Sequence, residues 1–240
     1  MSVRWRKHRT PEETAEACAQ HITSLLEQAI SGEGDASIAV SGGSTPKLLF
    51  ESLRRIHFHW DRVHLFWVDE RAVPPTAPDS NYHLTETTLI APAHIPRRNV
   101  HRIQAELTPH VAAQRYVDEI REFFSLGPGE IPHFDVIHQG MGADGHTASL
   151  FPGEPLIQDR EGIAASVFVE KMNASRVTLL PAVLLAARHT VMLVTGSDKA
   201  ETIHQVIHGE YDPSRLPAQL AHHARQVVWF FDDAAAQRVD

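Results

Sequence analysis

Three times along this chain a short run of apolar, largely β-branched or aromatic residues breaks off into glycines or charges. Ala36-Ser37-Ile38-Ala39-Val40 runs into Ser41-Gly42-Gly43-Ser44-Thr45-Pro46, and Val63-His64-Leu65-Phe66-Trp67-Val68 runs into Asp69-Glu70-Arg71. Phe134-Asp135-Val136-Ile137-His138 leads to a segment with glycine at 140, 142 and 145. Runs this apolar read as strands buried on both faces. Helical patterns separate them, so the sheet is expected to be mainly parallel, with helices covering both faces. In such sheets ligands bind beyond the carboxyl ends of the strands, where all three loops fall.

The rest of the chain fits this scheme. Ala15, Cys18, Ala19, Ile22, Leu25, Leu26 and Ala29 recur at helical intervals from Pro11 to about Ile30, with Thr10 as N-cap, Pro11 at N1 and Glu13 completing a capping box. A turn is expected at Ser31-Gly32-Glu33-Gly34-Asp35. Further helices are expected near 46–53, 111–124, 181–187, 197–207 and 215–221, and further strands near 176–180, 190–194 and 226–231. Long loops at 69–80 and 140–159 are the segments expected to carry function. No repeat, low-complexity tract or linker interrupts the pattern, so one α/β domain over 1–240 is expected.

Charge and composition narrow the partners. A formal net charge of −8 disfavours nucleic acid and anionic membrane, while a small anion remains an option where a few cations converge. No apolar run reaches membrane-spanning length. The basic start, Met1 to His8, is followed by Thr10-Pro11-Glu12-Glu13 rather than by an apolar segment, so a cytoplasmic protein is expected. The one cysteine, Cys18, excludes an intrachain disulfide and a cysteine-rich metal site. Histidine is frequent, at 17 residues, but His204 and His208 lack the glutamate of a zinc HExxH pattern. These, with His222 and His223, are expected to be surface histidines, and no metal is expected.

The first loop has the makings of an anion site. Gly42 and Gly43 let the backbone approach a ligand, the helix N-terminus offers free N–H groups, and Ser44 and Thr45 add hydroxyls. A plain turn with a serine N-cap explains the segment equally well. A third reading takes Ala39-Val40-Ser41-Gly42-Gly43 as an approximate nucleophile elbow with Ser41 attacking, although the loop follows what reads as the first strand, earlier than that fold places it. In the second loop Asp69, Glu70 and Arg71 begin at the sheet edge, and Asp79-Ser80-Asn81-Tyr82 follows. In the third, Gly142, Asp144, Gly145 and His146 emerge together. An ordinary histidine pKa near 6.5 suits proton abstraction from water, and a carboxylate beside it can fix the tautomer.

The strings SGGSTP, WVDERAVP with DSNY following, and GMGADGHTASLFP resemble the 6-phosphogluconolactonases, within the wider glucosamine-6-phosphate isomerase group. The likeness runs in order from about Thr10 to Phe231 and includes Arg176 and Lys199. It implies an open, doubly wound α/β fold of the sugar-phosphate isomerase type. It also implies a phosphate pocket at Ser41, Gly42, Gly43, Ser44 and Thr45 with Arg176 and Lys199. The catalytic histidine falls on His146 with Asp144 beside it, and Arg71 in the cleft. Asp69, Glu70, Asn81, Gly142 and Gly145 are expected around it. The deaminase branch of the group carries a glutamate five residues after the histidine and a tyrosine after the Asp-Glu pair, where this chain has Phe151 and Arg71. The implied activity is cofactor-free hydrolysis of a sugar-phosphate lactone by a monomer or weak homo-oligomer. The alternatives are a glucosamine-6-phosphate deaminase or isomerase, a serine hydrolase and a non-catalytic sugar-phosphate sensor.

Overall fold

Strand β2 (Ala36–Val40) is buried at every position, as its unbroken apolar run requires. In the computed structural model, which describes residues 4–31 and 34–239, it pairs in parallel with β3 (Val63–Trp67) on one side and β5 (Val136–Gln139) on the other. Beyond β5 lie β8 (His189–Val194), β9 (Val227–Asp232) and β1 (Arg4–His8), all parallel, so the order is β1-β9-β8-β5-β2-β3. The chain steps outward from β2 to β3 and then returns to set β5 on the other side of β2. That reversal opens a crevice at the carboxyl ends of β2 and β5. The loops that begin at Ser41 and Gly140 leave from those two ends.

Both faces are covered, as the alternation along the strands shows. Val191 and Leu193 of β8 and Phe230 of β9 join the core beneath α1 (Pro11–Ile30) and α2 (Ser44–Leu53). Met192, Val194, Trp229 and Phe231 join a second core with Ile203 and Val206 of α6 (Ala200–His208). Helix α4 (Pro109–Phe123) fixes the end of β3, because the Tyr116 hydroxyl donates to the Trp67 carbonyl at 2.7 Å and accepts its N–H at 3.0 Å.

Several expectations need correction. The first strand is not at Ala36: β1 precedes it, a sheet-edge strand whose sequence Arg-Trp-Arg-Lys-His is mostly exposed and carries no apolar signal. Asp69-Glu70-Arg71 is not loop but the short strand β4 (Asp69–Arg71), and the predicted strand near 176 is β7 (Ala174–Leu179). With β6 (Ala164–Val169) these form a separate antiparallel sheet in the order β4-β7-β6. The main sheet passes into it where the Leu179 N–H donates to the Val68 carbonyl at 2.7 Å. Helix α3 (Asn81–Thr85), continued by a π-turn over Glu86–Ile90, was not anticipated, whereas α5 (Pro181–Ala186) was. The helix expected at 215–221 is 3₁₀, over Pro217–His223.

Only half of the capping box of α1 forms. Glu13 N–H donates to Thr10 Oγ1 at 3.2 Å, but the Glu13 carboxylate accepts from Arg9 N–H at 3.1 Å instead of from Thr10. Cys18 is buried in α1, and burial pushes its thiol pKa up. The imidazoles of His204 and His208 donate to the carbonyls of Arg238 and Val239, and the described residues contain no metal-ligating group. No described helix is long and apolar enough to cross a membrane. Gly32 and Glu33 of the expected turn, and Met1 to Val3 of the basic start, lie outside the described residues.

Candidate active site

At the switch point between β2 and β5 a cleft of about 220 Å³ collects residues from six separate segments. Ser41 to Pro46 line it from the end of β2, Gly140, Met141, Gly142 and His146 from the end of β5, and Lys199 from beyond β8. Asp69, Arg71 and Arg176 enter from the small sheet, with Asn81 behind them.

The β2 loop works through its backbone. Gly43 has φ +116°, a conformation that an L side chain rarely adopts, and it stands at the N-cap of α2 without a side-chain cap bond. The first N–H groups of α2 are therefore left for a ligand. Gly42 is fixed by space, since a Cβ there would come within 1.9 Å of Asn81 Oδ1. Thr45 and Thr195 hydroxyls meet at 2.8 Å, joining this loop to the one that carries Lys199.

His146 and Asp144 form the contact expected of a base and its orienting carboxylate. His146 Nδ1 lies 2.5 Å from Asp144 Oδ1, which also accepts the His146 N–H at 3.2 Å. With Nδ1–H donating to the carboxylate, Nε2 carries the lone pair. Gly142 makes room for the pair, because a Cβ at that position would lie 2.1 Å from the ring. Gly145 has φ +81° and turns the backbone toward Leu216, so its part is structural. Asp144 has a second partner that the sequence did not suggest, the Lys171 ammonium on Oδ2. Burial works to raise the Asp144 pKa, but the bonds from His146 and Lys171 outweigh it and hold the carboxyl well below the usual range. Phe151 closes this corner: its ring centroid stands 4.3 Å from that of His146 and 4.3 Å from the Lys171 ammonium.

The charged triplet divides by strand alternation. Asp69 and Arg71 line the cleft, whereas Glu70 turns to the other side and accepts from the N–H groups of Arg71, Asn81 and Tyr82 and from the Ser80 hydroxyl, at 2.7 to 3.0 Å. Glu70 thus ties β4 to the start of α3 and is not a cleft residue. Burial raises its pKa against those four bonds. Arg71 and Arg176 are register partners across β4 and β7. Burial lowers the Arg176 pKa, Asp69 at 3.7 Å opposes that, and the neighbouring Arg71 adds to it. The Nε atoms of both arginines are buried without a partner among the described residues, as donors in a site built for an anion would be.

Ser41 does not have the surroundings of a nucleophile. Its hydroxyl donates to the His138 carbonyl at 3.3 Å, and the His138 ring takes the Ser41 N–H instead, at 3.4 Å. Burial pushes the His138 pKa down to about 3, so that ring is neutral.

A family model described as glucosamine-6-phosphate isomerases/6-phosphogluconolactonase matches residues 9–229. A 6-phosphogluconolactonase of Synechocystis is 35% identical over 219 residues, 91% of this chain and 90% of that one. The solved 6-phosphogluconolactonase from Trypanosoma cruzi superposes with TM-score 0.89 at 26% identity, covering 100% of this chain and 98% of its own. A monomeric glucosamine-6-phosphate deaminase superposes with TM-score 0.85 at 18% identity, covering 98% of this chain and 100% of its own. At that identity the last match shows the fold alone.

Proposed function

The chain belongs to the glucosamine-6-phosphate isomerase/6-phosphogluconolactonase family, and from that premise we propose that it hydrolyses 6-phosphogluconolactone to 6-phosphogluconate, the lactone-opening step of the pentose phosphate pathway. The observation that carries this reading is the His146–Asp144 contact beside Phe151. It is a single oriented base, with an aromatic ring where the deaminase branch has its second carboxylate. Deamination with isomerisation moves protons at carbon and nitrogen. Lactone hydrolysis needs an activated water and a stabilised oxyanion.

The phosphate binds at the Ser41–Thr45 loop and the α2 N-terminus, held by Arg176 and Lys199. This anchors the lactone carbonyl near His146. Nε2 takes a proton from water as its oxygen attacks the carbonyl carbon, and Asp144 stabilises the resulting imidazolium. Arg71 faces the developing oxyanion. Collapse of the tetrahedral intermediate breaks the bond to the ring oxygen, which receives its proton from His146. Base catalysis supplies about 10²–10⁴-fold, and anchoring by the phosphate adds to it through orientation.

The test is turnover by the purified protein. Acid release from 6-phosphogluconolactone above the buffer rate, without ammonia release from glucosamine 6-phosphate, is expected. Ammonia release without lactone hydrolysis would transfer the chain to the deaminase branch, and inactivity on both would leave a sugar-phosphate sensor. Ser41→Ala is expected to keep appreciable activity, and fluorophosphonate to leave Ser41 unlabelled, because its hydroxyl donates to the His138 carbonyl and not to an imidazole.

A further inference from the structure

The amino-terminal ends of β1, β9 and β8, opposite the cleft, border a second cavity of about 1020 Å³. Arg4, Arg6 and Arg225 line it, and no Asp or Glu does so among the described residues. None of these arginines is in an ion pair among the described residues, although the chain carries a net charge of −8. Sign reversal of this kind, recessed in the fold, concentrates an anion from solution.

Four histidines add to the basic lining, two on each face of the sheet. On the α1 face the Arg6 guanidinium and the His21 ring each stand 5.5 Å from the centroid of Phe230. His21 is held below the ordinary histidine range by burial first and then by Arg6 and His189. Among the described residues the carboxylate acting on His189 is Asp135, which is engaged by Arg188 at 3.2 Å and by the Ser37 N–H at 2.8 Å. Like charges gathered without a counter-ion are unfavourable until an anion completes the group.

The other face is aromatic. Register partners on parallel strands share a side, so Trp5, opposite Trp229, projects away from the Arg6 and Phe230 side. Trp5 and Tyr211 are both exposed large side chains on the cavity, and the Tyr211 ring meets His223 at 4.6 Å. Beside them His222 Nε2 is buried without a partner among the described residues. The volume is at the upper end for a small-molecule site, more than a bare phosphate needs.

We infer that this cavity is a nucleotide-binding site, separate from the lactone cleft, in which Arg4, Arg6, His21 and His189 receive the phosphates and the base lies against Trp5 and Tyr211. Charge-assisted bonds from arginine serve the phosphates, and aromatic faces serve a flat ring.

Calorimetric titration of the purified protein with ADP, adenosine and inorganic pyrophosphate tests it. ADP is expected to saturate one site, with adenosine and pyrophosphate each weaker by about tenfold or more, since each offers half of the recognition. The double variant Arg6→Gln/His21→Gln is expected to weaken ADP by at least about tenfold while kcat and KM for the lactone stay at wild-type values, which also reports an intact fold. Arg176→Ala, in the cleft, is expected to leave ADP binding unchanged. Absence of ADP binding up to about 10 mM would overturn the assignment. So would ADP binding that is lost in Arg176→Ala and unaffected by the double variant, or pyrophosphate binding as tight as ADP. These outcomes do not depend on what the cleft hydrolyses.

Discussion

On the side built by the six-stranded sheet the cleft presents glycines, hydroxyls, helix N–H groups, one ammonium and one imidazole; on the side built by the three-stranded sheet it presents Asp69, Arg71 and Arg176. The parallel side uses backbone and hydroxyl donors that water or ligand can satisfy, and its two ionisable groups, His146 and Lys199, are only half-buried and meet Asp144 and Asp198. The antiparallel side buries ions, which it can do because they compensate one another. Asp69 accepts from Ser149 at 2.6 Å and from Asn81 at 3.3 Å, and lies 3.7 Å from Arg176. Groups on the first side can be removed with little effect on folding, whereas groups on the second serve binding and folding together.

The most severe test of that division is His146→Ala. Loss of the base is expected to lower kcat by about 10²–10⁴-fold with KM nearly unchanged, because its contribution exists mainly in the transition state. Thermal stability should stay close to wild type. Steady-state kinetics that returned an unchanged kcat would remove His146 from the mechanism.

Next in size is the phosphate clamp, which has one member on each side. Arg176→Ala and Lys199→Ala are each expected to raise KM for 6-phosphogluconolactone by about tenfold or more, from the loss of a charge-assisted bond. Gluconolactone, lacking the phosphate, should be a poor substrate and be little affected by either change. The comparison is sharpened by stability. Arg176→Ala removes a compensating charge from buried Asp69 and should cost about 1–3 kcal/mol in urea unfolding. Lys199, whose ammonium meets Asp198 at 2.9 Å on the exposed side of its loop, should cost almost none. Equal losses of stability in the two variants would erase the distinction between the two sides.

What could be read in advance follows the same division. Ala36–Val40 and the strand ending at Gln139 are fully buried, so their apolar runs announced strands, and the glycines after them announced the loops that line the cleft. The substrate came from the resemblance carried by the GMGADGHTASLFP string, since a base and an anion loop alone fit many hydrolases. Of the small sheet only β7 was legible. Strand β4 has three charged residues and β6, the hairpin partner of β7, is only partly buried, so neither shows a core pattern. Reading Asp69–Arg71 as loop put Glu70 in the cleft; period-two alternation would have turned it away. Lys171 sits in no motif and reaches Asp144 only because the β6–β7 hairpin brings position 171 back over the third loop.

A pH effect on folding should come from the parallel side. His138 is fully buried beside Ser41 with its pKa pushed down to about 3, against about 6.5 in the unfolded chain. The unfolded state binds the extra proton between those values, so this stability is complete above about pH 6.5 and is lost as pH falls, at up to about 1.4 kcal/mol per pH unit. The urea midpoint is therefore expected to drop from pH 7 to pH 5. His21, His64, His189 and His222, lowered mainly by burial, add in the same direction. A smaller drop in His138→Leu than in wild type would assign its share; the same drop in both would mean that His138 does not contribute.

The smallest expected effect belongs to Lys171, and it tests whether the antiparallel side tunes chemistry as well as binding. Its ammonium meets Asp144 Oδ2 while Oδ1 holds His146 Nδ1, so the carboxylate is fixed from both ends. Lys171→Met keeps most of the side-chain length that packs on Phe151 but removes the charge. The ammonium is half exposed, so solvent already screens it, and a loss of several-fold in kcat, about 1 kcal/mol, is the expected scale. KM should hardly move, because Lys171 does not line the cleft. Rescue by the conservative variant is more informative. Lys171→Arg keeps a cation on Asp144 and is expected to restore kcat. A lower kcat in both variants would mean that Lys171 only props the loop, and an unchanged kcat in Lys171→Met would leave Asp144 orienting His146 unaided.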